Sequence, residues 1–272
     1  MPELPEVETI RLSLAPSVVG REIRRVDVYN ANLRRPLGDD FAKRLEGRVV
    51  VGTRRRAKYL LFDLDNDLSW ITHFGMSGTL AYQTDESDRV GTHDHVVAGF
   101  AGGGRLVFND PRRFGLMTVE DVATSPLLEG IGPEPLDAKG FSGAYLADLK
   151  SSTNRMVKDV LMDQRVVAGL GNIYVNEILF LSGVRPTRRL RRITKRTCER
   201  VSDATRFVIN EAIEHRGSSI SDFLDGIGRR GAYQGRHRVY GRGGEPCREC
   251  DSVVKCVTIG QRSSFYCPEC QT

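Results

Sequence analysis

The 272-residue sequence lacks any apolar run approaching the ~20 residues that a membrane-spanning helix needs. Residues 1–6 carry glutamates where a secretory signal would carry Lys or Arg, and no segment repeats along the chain. Hydrophobic residues make up 40% and charged residues 28%, proportions typical of a globular protein. We therefore expect a cytoplasmic protein that is neither secreted nor inserted in a membrane.

Because an export signal is lacking, the six cysteines are expected to be thiols or metal ligands rather than disulfides. Four of them form two C-x2-C pairs with sixteen residues between the pairs: Cys247 and Cys250, then Cys267 and Cys270. This spacing is typical of one structural Zn²⁺ site, in which four thiolates complete a tetrahedron. The segment is too short to build its own core, so zinc would supply its folding energy. A pair of redox-active dithiols is the alternative.

Basic charge is concentrated in the second half of the chain. Residues 1–135 have a net charge of −3, whereas residues 136–272 have a net charge of +8. Eight Lys or Arg residues lie in 185–200 and six Arg residues lie in 229–248, each cluster with a single Glu. Such clusters favour a polyanionic partner, because each cation near a phosphate releases a bound counterion.

The periodicity of apolar residues predicts an α+β protein. Val7, Ile10 and Leu14 recur at helical spacing after Pro5, and Pro16 with Gly20 is expected to close this first helix. Short strand-like runs follow, which indicates an antiparallel β-sandwich or barrel. The clearest runs are 48–53, 59–64, 69–73, 95–100 and 105–109.

Beyond residue 134 the pattern becomes helical, and it ends in a cysteine-containing hairpin. Helical segments are predicted at 145–149, 155–162, 173–181 and 195–215, and hairpin strands at 253–257 and 264–266. We predict an N-terminal catalytic β-sandwich domain, a proline-containing linker, a helical domain and a zinc hairpin. Their bounds are 2–133, 134–150, 151–238 and 239–272.

The N-terminus is a candidate for chemistry. After removal of Met1, Pro2 would present a secondary α-amine, which titrates near ~8 rather than at the ~10.4 of lysine. Attack of this amine on an aldehyde-level carbon gives a cationic iminium directly, and Glu3 beside it can transfer protons.

Several segments resemble bacterial formamidopyrimidine-DNA glycosylases, repair enzymes that excise oxidised purines and cleave the resulting abasic site. They occur in order over nearly the whole chain. The segments are 1–9, 54–60, 73–78, 93–95, 110–115, 161–164, 168–174 and 261–267.

The resemblance implies a role for each catalytic residue. Pro2 would attack C1′ of the damaged nucleotide and form a Schiff base, and Glu3 would protonate the sugar ring oxygen. Lys58 would lie close to the phosphates and assist β,δ-elimination, and Arg262 would grip the phosphates around the lesion.

The family also implies how duplex DNA is bound while the base is turned out of the stack. Met76, Arg112 and Phe114 match void-filling residues, and the Arg112 guanidinium could bond the orphaned cytosine. The matched DNA-binding positions are His93, Arg112, Thr153, Lys158 and Asn172. The expected partner is double-stranded DNA with oxidised purines or abasic sites, bound by a nucleoid-associated monomer whose zinc is structural.

Two alternatives stay open at this stage. The first is a zinc-ribbon nucleic-acid-binding protein without enzymatic activity, which leaves Pro2, Glu3 and Lys58 unexplained. The second is an endonuclease VIII type enzyme, which prefers oxidised pyrimidines. Leu4, Met76 and the 112–114 segment favour the purine enzyme. Tyr233 stands where the family commonly has phenylalanine, and this change leaves the lesion range open.

Overall fold

The computed structural model describes residues 1–84, 89–219 and 223–272 of the chain. These residues form two compact units: Met1–Glu129 with His215–Ala232, and Gly130–Glu214 with Tyr233–Thr272. Within the described ranges, no helix combines the length and the apolar character needed to cross a membrane.

The first unit begins with helix α1, Leu4–Val18. Glu3 is its N-cap residue and forms a reciprocal capping box with Glu6, which satisfies two backbone N–H groups at the helix start. Pro16 and Gly20 were predicted to close this helix, and it ends between them, at Val18, with Gly20 at a positive φ of 80°. Pro16 has no N–H to donate to the carbonyl of Leu12, four residues earlier in the helix. Both residues are exposed, so water can bond to the Leu12 carbonyl.

Two four-stranded sheets with antiparallel neighbours follow α1, confirming the predicted β-sandwich. One sheet has the order β1-β6-β7-β5 and the other β2-β3-β4-β8, and the short helix α2, Phe41–Leu45, follows β1. In chain order the strands are β1 Ile23–Val28, β2 Val50–Arg56, β3 Tyr59–Leu64, β4 Ser69–His73, β5 Thr79–Gln83, β6 Asp94–Phe100, β7 Arg105–Asn109 and β8 Leu116–Glu120.

The core of this unit is continuous across both sheets and the inner face of α1. Trp70 on β4 stacks on Phe62 at a centroid distance of 4.9 Å and meets Phe41 of α2 edge-on at 6.4 Å. Burial of these large rings supplies much of the stabilising apolar contact. The strand ends and their connecting turns are thereby held in fixed positions.

The second unit contains helices α3 Gly143–Leu149, α4 Val157–Met162, α5 Asn172–Leu181 and α6 Lys195–Glu214. Both α3 and α5 pack against α6. The buried residues of α6 recur at helical spacing and form one apolar stripe, as expected for a surface helix. They are Cys198, Val201, Ser202, Ala204, Thr205, Val208, Ile209 and Ala212.

Two placements differ from the predicted domain bounds. Helix α3 lies inside 134–150, the segment assigned as linker. Residues His215–Ala232, assigned to the helical domain, pack with the β-sandwich instead. The Gly226 N–H donates to Ser13 Oγ at 2.9 Å, and the Gly226 carbonyl accepts from the Tyr82 N–H at 2.7 Å. The backbone polar groups of Gly226 are thus satisfied by α1 and β5 of the first unit.

The C-terminal hairpin consists of β9, Lys255–Ile259, and β10, Arg262–Tyr266. Its strands are joined by the two-residue turn Gly260–Gln261, whose φ angles are 53° and 63°. Positive φ at both residues matches the right-handed twist of the strands. Arg262, predicted at the hairpin tip, is the first residue of β10 directly after this turn.

Candidate active site and zinc centre

The backbone of Glu3 is anchored by the buried carboxylate of Glu6. The Glu3 N–H donates to Glu6 Oε2 at 2.9 Å, and the Ser218 N–H donates to Glu6 Oε1 at 2.8 Å. Glu3 is only 4% exposed, whereas the preceding Pro2 is partly exposed. Glu6 thus fixes the residue next to Pro2 and ties the start of α1 to the 215–232 segment.

Lys58 lies in the turn between β2 and β3 and is buried. An ion-pair bridge connects this turn to α1. Arg55 Nε lies 3.3 Å from Glu8 Oε2 on α1, and the Arg55 guanidinium also donates to the Ala57 carbonyl at 2.9 Å. The residue before Lys58 is therefore held by a side chain that is itself paired with the N-terminal helix.

His73, at the end of β4, lies among cations close to the same turn. Burial lowers its pKa from 6.5 to about 4, and the positive charges of Lys58 and Arg34 act in the same direction. Its Nδ1 accepts a hydrogen bond from the Gly75 N–H at 3.1 Å. The imidazole is neutral at physiological pH and fixes the backbone directly before Met76.

The structure brings Met76, Arg112 and Phe114 together on two adjoining loops. A Cβ built on Gly75 would lie 2.4 Å from the backbone of Phe114, so the loops meet backbone to backbone. Met76 is 49% exposed and Phe114 is 44% exposed. The Arg112 guanidinium lies over the Phe114 ring, 4.8 Å from its centroid. The three predicted void-filling residues therefore form one exposed projection, in which two apolar side chains, Met76 and Phe114, lie beside the Arg112 guanidinium.

His93 and Thr153, the two matches to DNA-backbone-contacting positions, lie in different compact units. His93 is exposed, and its carbonyl accepts from the Asp110 N–H at 3.0 Å, which places it beside the loop that carries Arg112. Thr153 lies in the second unit before α4, where its Oγ1 accepts from the Arg155 N–H at 3.2 Å. Thr153 therefore shapes a local turn before α4.

Lys158 and Asn172 meet at the zinc hairpin. Lys158 is 1% exposed, and its Nζ donates to the Ser263 carbonyl at 3.1 Å and to Ser264 Oγ at 2.5 Å. Asn172 Nδ2 donates to the same Ser263 carbonyl at 3.1 Å. These bonds hold the residues next to Arg262 against α4 and α5, while Arg262 itself is exposed.

The four predicted zinc ligands form one cluster, in which all four Sγ atoms lie within 4.8 Å of one another. The Sγ atoms of Cys247 and Cys270 are 3.9 Å apart, and those of Cys250 and Cys267 are 3.4 Å apart. A tetrahedron with Zn–S bonds of about 2.3 Å has edges of about 3.8 Å, so the cluster fits the ion. With four protein ligands no coordination position is left for water, and the zinc is structural.

Several supporting residues were not identified from the sequence as part of the site. Glu6 and Asp110 lie within the matching segments 1–9 and 110–115 but were not assigned to the site. Both are buried and accept hydrogen bonds from backbone N–H groups of the site. Asn176 is also buried, and its Oδ1 accepts from the Phe265 N–H at 2.7 Å. The adjacent polar residues Asn176 and Glu177 in a largely apolar helix were the available signal.

Tyr233, the departure from the family pattern, is fully buried in a short 3₁₀ turn of the second unit. Its hydroxyl donates to Glu211 Oε2 at 3.2 Å, and Arg238 also donates to this carboxylate oxygen at 3.0 Å. The extra hydroxyl relative to phenylalanine therefore has a hydrogen-bond partner in the core.

Comparison with known proteins agrees with these features. Three family models match in order: the formamidopyrimidine-DNA glycosylase N-terminal domain at residues 1–117, the H2TH domain of the same enzymes at 131–224, and a zinc finger found in FPG and IleRS at 244–272. A formamidopyrimidine-DNA glycosylase of Hahella chejuensis is 43% identical, with 100% of each chain covered.

Solved structures show the same likeness. A Lactococcus lactis FPG variant in complex with Fapy-dG-containing DNA superposes with a TM-score of 0.91 at 31% identity, covering 100% of both chains. The Lactococcus lactis Fpg in complex with abasic-site DNA also gives 0.91 at 31% identity, covering 99% of both. The chain belongs to the formamidopyrimidine-DNA glycosylase family.

Proposed function

We propose that the protein is a base-excision repair enzyme that excises 8-oxoguanine and formamidopyrimidines from duplex DNA and then cleaves the abasic site. The observation that carries this proposal is the placement of Pro2 before a buried, anchored Glu3 at the start of α1. The same unit carries Lys58 and the projection formed by Met76, Arg112 and Phe114. The two Lactococcus lactis relatives were solved with Fapy-dG and with abasic-site DNA.

Catalysis begins with the secondary amine of Pro2. Once Met1 is removed, the amine adds to C1′ as the damaged base leaves, and loss of its proton gives a neutral adduct. Glu3 protonates the sugar ring oxygen, and opening of the ring forms the iminium. The iminium acts as an electron sink for removal of the 2′ proton, so the 3′ phosphate leaves and the 5′ phosphate follows by δ-elimination. Lys58, close to the phosphates, assists the elimination.

Binding depends on filling the space that the extruded nucleotide leaves. Met76 and Phe114 insert into the stack, and the Arg112 guanidinium bonds the orphaned cytosine. The phosphate contacts come from His93, Thr153, Asn172 and Arg262. Lys158, which also matches a phosphate ligand of the family, is buried and holds the hairpin residues next to Arg262 in place. The protein acts as a monomer on the chromosomal DNA of a bacterial cytoplasm.

The lesion range tests this proposal directly. We expect excision from duplexes with 8-oxoguanine or formamidopyrimidine opposite cytosine, slow excision of thymine glycol, and products with phosphate at both ends of a one-nucleoside gap. Faster excision of thymine glycol would instead assign the enzyme to the endonuclease VIII type. Lesion binding without strand cleavage would contradict the proposed activity.

A further inference from the structure

Asp110 is a fully buried carboxylate between the two loops that form the apolar projection. Its Oδ1 accepts from Ser77 Oγ at 2.6 Å and from the Arg112 N–H at 3.3 Å. Its Oδ2 accepts from the Gly115 N–H at 2.7 Å. Ser77 follows Met76, so one carboxylate is bonded to both loops.

The backbone of Asp110 adds a third segment to this junction. Its N–H donates to the His93 carbonyl at 3.0 Å, and its carbonyl accepts from His95 Nε2 at 2.8 Å and from the Arg113 N–H at 3.1 Å. Arg113 has a φ of 56°, which a residue with a side chain rarely adopts. A strained residue persists where its surroundings fix it, and here the bonds of Asp110 fix it on both sides.

The exposed side chains themselves have few contacts that could set their relative positions. Met76 and Phe114 are about half exposed, so their placement depends on the backbones that carry them. Strand pairing of His73 with Leu116 and of Thr79 with Asn109 flanks the two loops. A further bond between the loops themselves needs a charged acceptor to contribute about 1.5–3 kcal/mol. The bond from Ser77 to Asp110 meets that requirement.

We propose that Ser77 and Asp110 form a positioning pair that sets Met76 relative to Arg112 and Phe114. This inference rests on the proposed function, in which Arg112 reads the base opposite the lesion. The Ser77 hydroxyl acts through its bond to Asp110 and is assigned no contact with the lesion or the sugar. The pair determines the preference for the base opposite the lesion, because it keeps Arg112 aligned with the position that the flipped nucleotide vacates.

The Ser77→Ala variant tests the proposal in single-turnover excision of 8-oxoguanine opposite cytosine and opposite adenine. We expect the cytosine-to-adenine rate ratio to fall about tenfold, in line with the loss of one charge-assisted bond. Borohydride trapping on a preformed abasic duplex should remain at the parental level. Ser125→Ala is the matched control, because it removes a serine–carboxylate bond of the same 2.6 Å length, to Glu120. It should keep the parental ratio.

A double-mutant cycle with Arg112→Ala separates positioning from general loosening. In the Arg112→Ala background the ratio is already low, and adding Ser77→Ala should leave it unchanged. A parental ratio in Ser77→Ala alone, or an equal further fall in the Arg112→Ala background, would overturn the positioning role. Absence of both excision and trapping in the native protein would instead refute the proposed function.

Discussion

Loss of one zinc ligand should detach Arg262 from DNA while leaving the catalytic unit folded. Cys250→Ser replaces a thiolate that lies 3.4 Å from the Sγ atoms of both Cys267 and Cys270. A serine hydroxyl is a poor zinc ligand at neutral pH, so the ion should be lost. The residues proposed to be catalytic, Pro2, Glu3 and Lys58, belong to the other compact unit.

In the described part of the chain, the apolar contacts within the hairpin are few compared with the contribution expected from a structural zinc. The buried apolar cluster of the hairpin is small and includes two of the zinc ligands themselves, Cys247 and Cys267. Zinc binding contributes about 10–16 kcal/mol in comparable peptides. The bonds from Lys158 to Ser263 and Ser264 are worth only about 1.5–3 kcal/mol each. The hairpin should therefore unfold locally, and Arg262 with it.

Zinc content and duplex affinity at several salt concentrations provide the assay. Cys250→Ser should contain little zinc, and the slope of log affinity against log salt should become shallower by about 0.9, as expected for one lost phosphate contact. Arg262→Ala should weaken binding in the same way but keep its zinc. Cys256→Ser is the matched control, because this exposed thiol lies in the same hairpin outside the cluster.

Two results would refute the reasoning about the hairpin. A zinc-depleted Cys250→Ser protein that binds lesion duplex with parental affinity and salt dependence would show that the hairpin does not grip DNA. Equal loss of zinc and affinity in Cys256→Ser would show that the metal site differs from the four-cysteine cluster.

Two further predictions concern buried ionisable groups. Burial lowers the pKa of His73 and of His237 from 6.5 to about 4. Between pH 6.5 and pH 4 the unfolded chain therefore binds more protons than the folded protein. The free energy of unfolding should fall as the pH drops through this range, by up to roughly 3 kcal/mol for each histidine. Urea unfolding at pH 7 and at pH 4.5 measures this loss of stability, which should be smaller in His73→Asn. An equal loss in that variant would contradict a lowered pKa for His73. Glu6→Gln should destabilise the protein by about 1–3 kcal/mol and slow borohydride trapping. The reason is that the two carboxylate oxygens of Glu6 accept from the N–H groups of Glu3 and Ser218, and an amide offers only one oxygen. Parental stability and parental trapping in this variant would contradict the anchoring role of Glu6.

Much of the fold could be predicted from sequence, because apolar periodicity determines which face of a segment is buried. Strands β3, β4 and β7 coincide with the predicted runs. Strand β5, Thr79–Gln83, was missed: its burial pattern alternates weakly, and only Leu80 is buried. The packing of 215–232 with the sandwich depends on backbone hydrogen bonds to Glu6 and Ser13, which leave no periodic signal.

The candidate site was predictable where a motif carries the chemistry, but not where a buried polar group supports it. The cysteine spacing predicted the zinc cluster, which the structure confirms. The environment of Lys158, whose Nζ is buried against the hairpin, could not be inferred from its sequence position. Likewise, the aspartate of the Asp110–Gly115 motif gave no indication that it bonds to Ser77, because that contact joins residues 33 positions apart.

Borohydride trapping on an 8-oxoguanine duplex, followed by peptide mapping, tests the central claim most directly. The account predicts a covalent protein–DNA adduct on the peptide that begins with Pro2. A matched protein that retains Met1 should bind the lesion duplex with parental affinity and give no adduct, because its amine is displaced by one residue. An adduct on a lysine such as Lys58, or equal trapping by the Met1-retaining protein, would contradict Pro2 as the nucleophile.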